Sequence, residues 1–336
     1  EDFSKIKKIM LPKDYLVYKL TGSFVTDYSD AAGMLLLDVE HKCWSKEMCD
    51  ICSISEDLLP KLHESYDIVG EIKKEYLDEI GLKTNVKVVA GAGDNAGSAI
   101  GTGTIADGRC NISIGTSGTV FISTDSYKKV SNNAIHNFCH SNGKYHLMGC
   151  ILSAASANKW FISDILGTKE YDKERSAITL DDLGNNKVYF LPYLMGDRTP
   201  INDVNARGVF LGMSMDTKRS HMVEAVLEGV SYALRDSLEL AKEAGIKITK
   251  ATLVGGGAVS EIWQHIICDI MNIDIEILES NEGPSLGAAI LAAYADGVFK
   301  NLEDAANAIN KVIKVVKPDK ARAEKYEVCY KKYKSI

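Results

Sequence analysis

The segment Gly91-Ala-Gly-Asp-Asn95 is one of two glycine-rich turns that decide the fold, and Ile114-Gly-Thr-Ser-Gly-Thr119 is the other. The first turn follows an apolar β-type run and precedes a run of small residues, so we expect a strand-to-helix turn that presents the Asp94 carboxylate. The second turn joins alternating runs at 110–114 and 120–124, a pattern that predicts a hairpin with backbone N–H groups and hydroxyls at its tip. The first turn is therefore a suitable position for a catalytic base, and the second is a suitable place to bind a phosphate group.

The composition is typical of a folded protein that is large enough for two packed units. Of its 336 residues, 46% are apolar and 25% are charged, and the formal net charge is -7. This acidic balance, with scattered Lys and Arg, argues against a nucleic-acid partner. No apolar run has the length of a membrane span or a signal peptide, so we expect no membrane partner. Eight irregularly spaced cysteines are typical of reduced thiols, and we expect a cytoplasmic protein.

Two groups of potential metal ligands are interpreted as structural. A Cys-x-x-Cys lies near a further cysteine and a histidine, but a structural zinc site usually brings two close ligand pairs. Three histidines lie in a segment that alternates like two strands, and their spacing fits no strong metal signature. The first group is His41, Cys43, Cys49 and Cys52, and the second is His136, His140 and His146.

A third glycine turn, Gly255-Gly-Gly257, separates a predicted strand at 249–254 from a predicted helix at 261–271. This order is expected of an element that contacts a nucleotide. Further predicted elements are helices at 4–21, broken near Pro12, at 153–165 and at 220–244, and a close helix packing at 282–289. No turn matches a Walker A or Rossmann fingerprint, so the three turns together indicate another kind of phosphate and nucleoside cradle.

Asp94 has two interpretations on residue type alone. An Asp in a Gly-Asp-Asn turn is more often a helix N-cap. As a base it would take the proton of a hydroxyl nucleophile, while positioned donors hold the phosphoryl group. Two roles are considered for Arg198 and Arg207. They could contact phosphates, or they could form ion pairs with Asp197 or Asp203 that fix their loops, and we favour the ion pairs.

These segments resemble the FGGY carbohydrate kinases over nearly the whole chain. The motifs are Asp14-Tyr-Leu-(x)3-Leu-Thr-Gly22, Thr26-Asp-Tyr-Ser-Asp-Ala31, Leu59-Pro60, the three glycine turns and Gly287-Ala-Ala289. The resemblance implies an α/β, actin-like or ribonuclease-H-like ATPase fold with two domains around a cleft. Residues 1–90 would be the remainder of an N-terminal sugar-binding domain, and residues 91–336 the C-terminal ATP-binding domain. The family's opening Asp-x-Gly-Thr turn has no match, so we expect an incomplete first domain and a chain that transfers phosphate poorly by itself.

The resemblance also implies roles for individual residues. Asp94 would be the general base, and Asn95 would lie beside the sugar. ATP would be the phosphoryl donor with Mg²⁺ as its metal, and no metal ligand is assigned in this chain. The implied ATP contacts are Gly115, Thr116 and Ser117 at the phosphates, Gly208 along the cleft, and Gly257, Ala258 and Glu261 at the adenosine. Glu261 departs from the asparagine that is common in related kinases.

The segments at 136–140, 146–148 and 191–200 most resemble the members of the family that phosphorylate D-xylulose. The resemblance therefore implies ATP-dependent formation of D-xylulose 5-phosphate. Another ketose, a polyol or gluconate stays open as the substrate, and so does a non-catalytic fragment that only binds nucleotide or sugar. The expected partners are a small-molecule sugar and ATP, with a homodimer left open.

Overall fold

The computed structural model describes residues 3–130, 134–280 and 282–336. The strands are β1 Val25–Asp27, β2 Leu37–Asp38, β3 Cys43–Trp44, β4 Lys61–His63, β5 Ile68–Glu71, β6 Lys87–Val89, β7 Cys110–Ile114, β8 Gly118–Thr124, β9 His136–Cys139, β10 Tyr145–Ile151, β11 Tyr189–Leu191, β12 Val209–Leu211, β13 Lys250–Val254, β14 Asp274–Leu278 and β15 Val312–Val316. The α-helices are α1 Pro12–Thr21, α2 Tyr28–Ala31, α3 Lys46–Ile51, α4 Lys74–Ile80, α5 Asp94–Gly101, α6 Ala155–Trp160, α7 Tyr171–Ser176, α8 Arg219–Glu243, α9 Glu261–Met271, α10 Pro284–Ala295, α11 Leu302–Ile309 and α12 Lys320–Lys334. The protein is therefore of the α/β class, as predicted.

One mixed sheet of seven strands organises the second part of the chain, in the order β15-β14-β13-β7-β8-β10-β9. Strands β7, β13 and β14 are parallel, and the other neighbouring pairs are antiparallel. The β7–β8 pair is the predicted hairpin, in register from Cys110 opposite Ile122 to Ile114 opposite Gly118. Because β7 and β13 run in the same direction, the turns that follow them lie at one edge of the sheet, where ligands bind in α/β proteins.

Helix α8 forms one side of the main core. Its apolar positions from Val223 to Leu234 are fully buried, at the spacing expected of an amphipathic face. Trp263 of α9 is also fully buried, and its Nε1 donates a hydrogen bond to the carbonyl oxygen of Leu227 (3.2 Å). Each large apolar side chain buried in this way contributes about 1.5–3 kcal/mol, so the core holds the sheet and its turns in a defined position.

Helices α5 and α10 cross at a close contact made by glycines. A Cβ on Gly287 would lie 1.8 Å from the carbonyl oxygen of Gly97, and a Cβ on Gly101 would lie 2.1 Å from that of Gly283. No residue with a side chain allows two backbones to approach so closely. The predicted close packing of the small residues around Gly287 is confirmed, and it fixes α5 against the start of α10.

The first part of the chain consists of short sheets, helices and loops. Strands β1 and β4 are parallel, whereas β2–β3 and β5–β6 are antiparallel pairs. Lys42 connects this part to the β9–β10 hairpin, because its Nζ donates to Glu64 (2.9 Å) and to the carbonyl oxygen of Gly143 (2.7 Å). The loops around β1 are therefore held against the edge of the seven-stranded sheet.

Most predicted elements are confirmed, with small shifts at their ends. The helix at 261–271 has the predicted bounds. The helix predicted at 4–21 is wrong for residues 6–11, because α1 begins only at Pro12, whose fixed φ and missing N–H suit a first helical position. The helix predicted at 153–165 starts at the second position after 153 and ends in a π-helical turn. Within the described ranges, no helix has both the length and the apolar character needed to cross a membrane.

Candidate active site

Asp94 is the first residue of α5, directly after the turn that follows β6. Gly93 occupies the N-cap position, so the N-cap interpretation of Asp94 is wrong. Gly91 has a φ of 82°, a left-handed conformation that favours glycine. The Asp94 side chain is exposed, and its Oδ1 accepts hydrogen bonds from the backbone N (2.7 Å) and Nδ2 (3.0 Å) of Asn95. The predicted strand-to-helix turn is therefore confirmed, and it presents a carboxylate at the helix N-terminus, where the helix dipole favours negative charge.

A cavity of about 230 Å³, called the first cavity below, opens beside Asp94. Ser29 and Asp30 of α2 line it together with Phe138 of β9 and His146 of β10. Polar groups that converge beside aromatic side chains are typical of small-molecule sites. Because the wall comes from distant parts of the chain, the tertiary fold assembles this cavity.

Asp30 is the second carboxylate of the first cavity. Burial raises its pKa to about 6, Lys13 opposes the rise, and the carboxylates of Asp27, Asp14 and Asp94 add to it. A carboxyl group that titrates close to neutral pH beside another carboxylate is common in active sites, where such shifts serve binding or proton transfer.

A second cavity, also of about 230 Å³, shares Asp94 and Asn95 with the first. Its wall also includes Ser113 of β7, Gly255 after β13 and Gly283 before α10. It therefore lies at the carboxyl ends of two parallel strands, the usual position of a ligand in an α/β sheet. Molecules bound in the two cavities would meet at the Asp94 carboxylate.

The turn at 115–117 has an anchored backbone and two exposed hydroxyl side chains, those of Thr116 and Ser117. The carbonyl oxygen of Thr116 accepts hydrogen bonds from Ala154 N (3.0 Å) and Ser156 Oγ (2.6 Å). A fixed turn of small residues allows phosphate oxygens to approach its backbone N–H groups closely. This part of the site therefore fits the phosphates of a nucleotide.

The turn at 255–258 packs on the end of β7. Gly255 has a φ of 91°, and a Cβ there would lie 2.6 Å from the carbonyl oxygen of Ile114. A Cβ on Gly257 would lie 2.4 Å from Cγ2 of the same isoleucine. The glycines keep this backbone close to the second cavity without filling it, which also fits a bound nucleotide.

Of the seven residues predicted to bind ATP, five lie close to the second cavity, whereas Gly208 and Glu261 lie apart from it. The turns at 115–117 and 257–258 closely follow residues of its wall. Gly208 directly precedes β12 and is not part of either cavity wall. Glu261 is an exposed residue at the start of α9, and it pairs with Nζ of Lys314 (2.9 Å). The roles of all seven residues stay predictions.

Several other residues singled out from the sequence make structural contacts. Arg207 donates to two carbonyl groups of its own loop (2.7 and 3.0 Å), so it fixes the loop through backbone groups. His41 pairs with a neighbouring aspartate (2.8 Å), and Cys49 is buried in a small apolar core. His140 is buried, which lowers its pKa to about 4, and its Nε2 donates to the carbonyl oxygen of Thr104 (2.9 Å). In the part of the chain that the structure describes, no three His, Cys, Asp or Glu side chains gather as metal ligands do.

The sequence-based prediction missed Ser29, Asp30 and His146 as residues of the candidate site. Ser29 and Asp30 belong to the Thr26–Ala31 motif, where two polar side chains shortly after a short strand were an available signal. The ring of His146 stacks on Phe121 (3.9 Å between ring centroids). An alternating strand pattern does not distinguish a histidine in a cavity wall from one in a core.

Comparisons with known proteins identify the family of the chain. Residues 1–101 match the N-terminal domain of the FGGY family of carbohydrate kinases, and residues 110–295 match its C-terminal domain. The chain is 35% identical to the xylulose kinase of Bacillus subtilis (strain 168), over 100% of this chain and 68% of that protein. A solved structure of a xyloylose kinase from Brucella ovis has a TM-score of 0.93 at 38% identity, over 99% of this chain and 68% of that one. A solved gluconate kinase from Lactobacillus acidophilus also has a TM-score of 0.93, at 27% identity, over 100% of this chain and 68% of that one.

The likeness in sequence and structure extends over the whole chain, which spans 68% of the length of each of these three relatives. It confirms the actin-like, two-domain ATPase fold and the activity class, phosphoryl transfer from ATP to a small sugar. The chain belongs to the FGGY family of carbohydrate kinases.

Proposed function

We propose that this kinase phosphorylates D-xylulose with ATP and forms D-xylulose 5-phosphate. The observation that carries the proposal is that Asp94 and Asn95 line both cavities, so a sugar in the first and a phosphate in the second would meet at one carboxylate. The xylulose kinase of Bacillus subtilis and the similar protein of Brucella ovis support the choice of sugar.

In the proposed reaction, Asp94 accepts the proton of the terminal sugar hydroxyl. The sugar oxygen forms a bond to the γ-phosphorus of ATP while the bond from that phosphorus to the bridging oxygen breaks, and ADP leaves. The Asn95 side chain lies beside the sugar. This reaction depends on positioning and on hydrogen-bond donors more than on covalent chemistry by the protein.

We propose that the residues predicted to contact ATP bind the nucleotide. Gly115, Thr116 and Ser117 hold phosphate oxygens, Gly208 lies along the nucleotide, and Gly257, Ala258 and Glu261 contact the adenosine. Mg²⁺, when bound, neutralises charge on the phosphates. The single carboxylate in the wall of the second cavity belongs to Asp94, which is the base in the proposed reaction, so phosphate oxygens and water would supply the ligands of Mg²⁺ there.

The division of labour between two domains is also part of the proposal. Residues 1–90 would form the sugar side and residues 91–336 the ATP side. Part of the walls supports this division: Ser29 and Asp30 line only the first cavity, and the wall of the second comes entirely from the later part. The later part also contributes to the first cavity, through Phe138 and His146 among others. A homodimer and a cytoplasmic location stay predictions.

The test is ADP release by the full-length protein with D-xylulose and with a panel of other ketoses, polyols and gluconate. We expect the highest kcat/KM for D-xylulose and a loss of about 100- to 10,000-fold in kcat for Asp94→Asn, because a general base contributes a factor of this size. Asp50→Asn, an exposed aspartate on α3, is the matched control and should leave the rate unchanged. A preference for gluconate would overturn the choice of sugar. Sugar binding without ADP release would favour a non-catalytic protein.

A further inference from the structure

The short turn before Asp94 is held at both of its ends by groups from the first part of the chain. At one end, Nζ of Lys13 donates a hydrogen bond to the carbonyl oxygen of Ala90 (3.1 Å). At the other end, the backbone N–H of Gly93 donates to Oγ of Ser29 (3.1 Å). The two contacts therefore bracket the glycine turn that sets the position of the Asp94 carboxylate.

Asp27 connects these two contacts. It is fully buried, and its Oδ2 accepts hydrogen bonds from Ser29 Oγ (2.5 Å), Ser65 Oγ (2.7 Å) and Ser29 N (2.9 Å). Its Oδ1 lies 3.1 Å from Nζ of Lys13. Because the hydroxyl of Ser29 donates to Asp27, its lone pairs are directed toward the N–H of Gly93. Hydrogen bonds to a buried carboxylate are the stronger kind, so this arrangement is well defined.

In this network the single ammonium group of Lys13 faces two buried carboxylates, those of Asp14 and Asp27. Burial disfavours the ammonium of Lys13, but the carboxylates of Asp27 and Asp14 outweigh it and raise the pKa of Lys13. Nζ of Lys13 lies 2.8 Å from Oδ1 of Asp14, which is also fully buried. Removal of the Lys13 ammonium would leave both buried carboxylates without this cationic partner.

The turn itself has one small side chain, the methyl group of Ala92, which packs against the apolar core around Ile100. Its residues are glycine, alanine and glycine, and Gly91 adopts the left-handed conformation. A Cβ on Gly91 would lie 3.2 Å from Cδ of Lys13, so the lysine side chain packs directly on the turn. Glycine-rich backbone has many accessible conformations, and contacts from outside the turn must select one of them.

We propose that Asp27 is a positioning residue that, through Ser29 and Lys13, holds the glycine turn and thereby sets the place of the Asp94 carboxylate during phosphoryl transfer. This inference rests on the proposed role of Asp94 as general base. It assigns a function to a buried ionic network. Asp27 itself contacts neither the sugar nor the nucleotide in this proposal.

Ser29→Ala is the suitable variant, because substitution of Asp27 would leave the Lys13 ammonium without one of its partners and destabilise the protein. In the full-length kinase we expect Ser29→Ala to lower kcat about 10- to 100-fold, since misplacement of a catalytic group by about 1 Å has effects of this size. The KM for ATP should stay unchanged, and Ser29→Thr, which keeps the hydroxyl, should restore most of the rate. Ser23→Ala, which removes another hydrogen-bonded serine of the same region, is the control without an expected change.

Hydrogen–deuterium exchange gives a readout that does not depend on activity. The peptide that covers residues 91–97 should exchange faster in Ser29→Ala than in the wild type, and at the wild-type rate in Ser29→Thr. Unchanged exchange in Ser29→Ala would overturn this proposal and leave the role of Asp94 untouched. Full activity of Asp94→Asn would instead overturn the proposed base.

A double variant tests whether Ser29 acts through Asp94. If it does, Ser29→Ala adds no further loss of kcat in an Asp94→Asn background, because the positioned group is already absent. A further loss of about the same factor as in the wild type would show independent action, and the positioning role would be refuted.

Discussion

Replacement of Gly287 by alanine would test whether the contact between α5 and α10 keeps Asp94 in place. The new Cβ would lie 1.8 Å from the carbonyl oxygen of Gly97, whereas real Cβ atoms essentially never come within 3.0 Å of another heavy atom. The two helices would therefore have to separate by about 1.2 Å, at an overpacking cost of about 1–3 kcal/mol in the free energy of unfolding. Gly97 lies about one helical turn from Asp94, so the displacement would carry the carboxylate with it.

The expected effect on catalysis is larger than the effect on stability. A shift of about 1 Å in the reacting groups costs about 100-fold in rate. We therefore expect ADP release at saturating sugar and ATP to slow about 100-fold in Gly287→Ala, while urea unfolding still shows a folded protein. Ala289→Ser, at an exposed position of the same helix, should change neither quantity. A kcat within about twofold of the wild type, together with the expected loss of stability, would refute the link between this contact and Asp94.

Three further predictions concern titrating groups and the nucleotide turn. Asp30 has a folded pKa of about 6, above its ordinary value of 3.8, so its contribution to stability falls as the pH rises through this range. Asp30→Asn should therefore raise the free energy of unfolding by about 1–2 kcal/mol at about pH 8, after allowance for partial exposure, and by less at about pH 5; equal gains at both pH values in urea titrations would contradict this. Burial raises the pKa of both Glu224 and Glu228, and the nearby Glu228 adds to the rise at Glu224. Wild-type Tm should fall from about pH 6 to about pH 9, and Glu224→Gln should reduce that slope in a thermal-shift series, whereas an identical slope would argue against a shared buried charge. Gly257→Ala would place a methyl carbon 2.4 Å from a neighbouring isoleucine side chain and displace the turn, so we expect the KM for ATP to rise about tenfold, or about 1.4 kcal/mol, with the KM for sugar unchanged in initial-rate measurements.

Local chemistry explains why the main elements and the position of Asp94 could be predicted. The strand-to-helix turn at 91–95 has an apolar run before it, glycines within it and small residues after it, and each signal acts over a few residues. The hairpin at 110–124 and the helix at 261–271 are specified in the same local way. The resemblance to the FGGY kinases added the roles of these elements, which their secondary structure alone could not supply.

The network around Asp27 could not be predicted, because its partners are far apart in the chain. Ser29 and Gly93 are 64 residues apart, and each is of a type that is common in ordinary turns. The raised pKa of Asp30 has the same origin, since it depends on burial and on neighbouring carboxylates that only the tertiary fold brings together.

The glycine contact between α5 and α10 could be predicted from the sequence only in part. A stretch of small residues shows that a helix needs a close neighbour, but it does not identify that neighbour. A close approach requires small residues on both helices, so two such stretches in one chain are each other's natural partners. The stretches at 96–101 and 283–289 satisfy this condition, and their contact places the helix that begins at Asp94 against the wall of the second cavity. The same small residues therefore determine both how the two helices pack and where the carboxylate meets the nucleotide site.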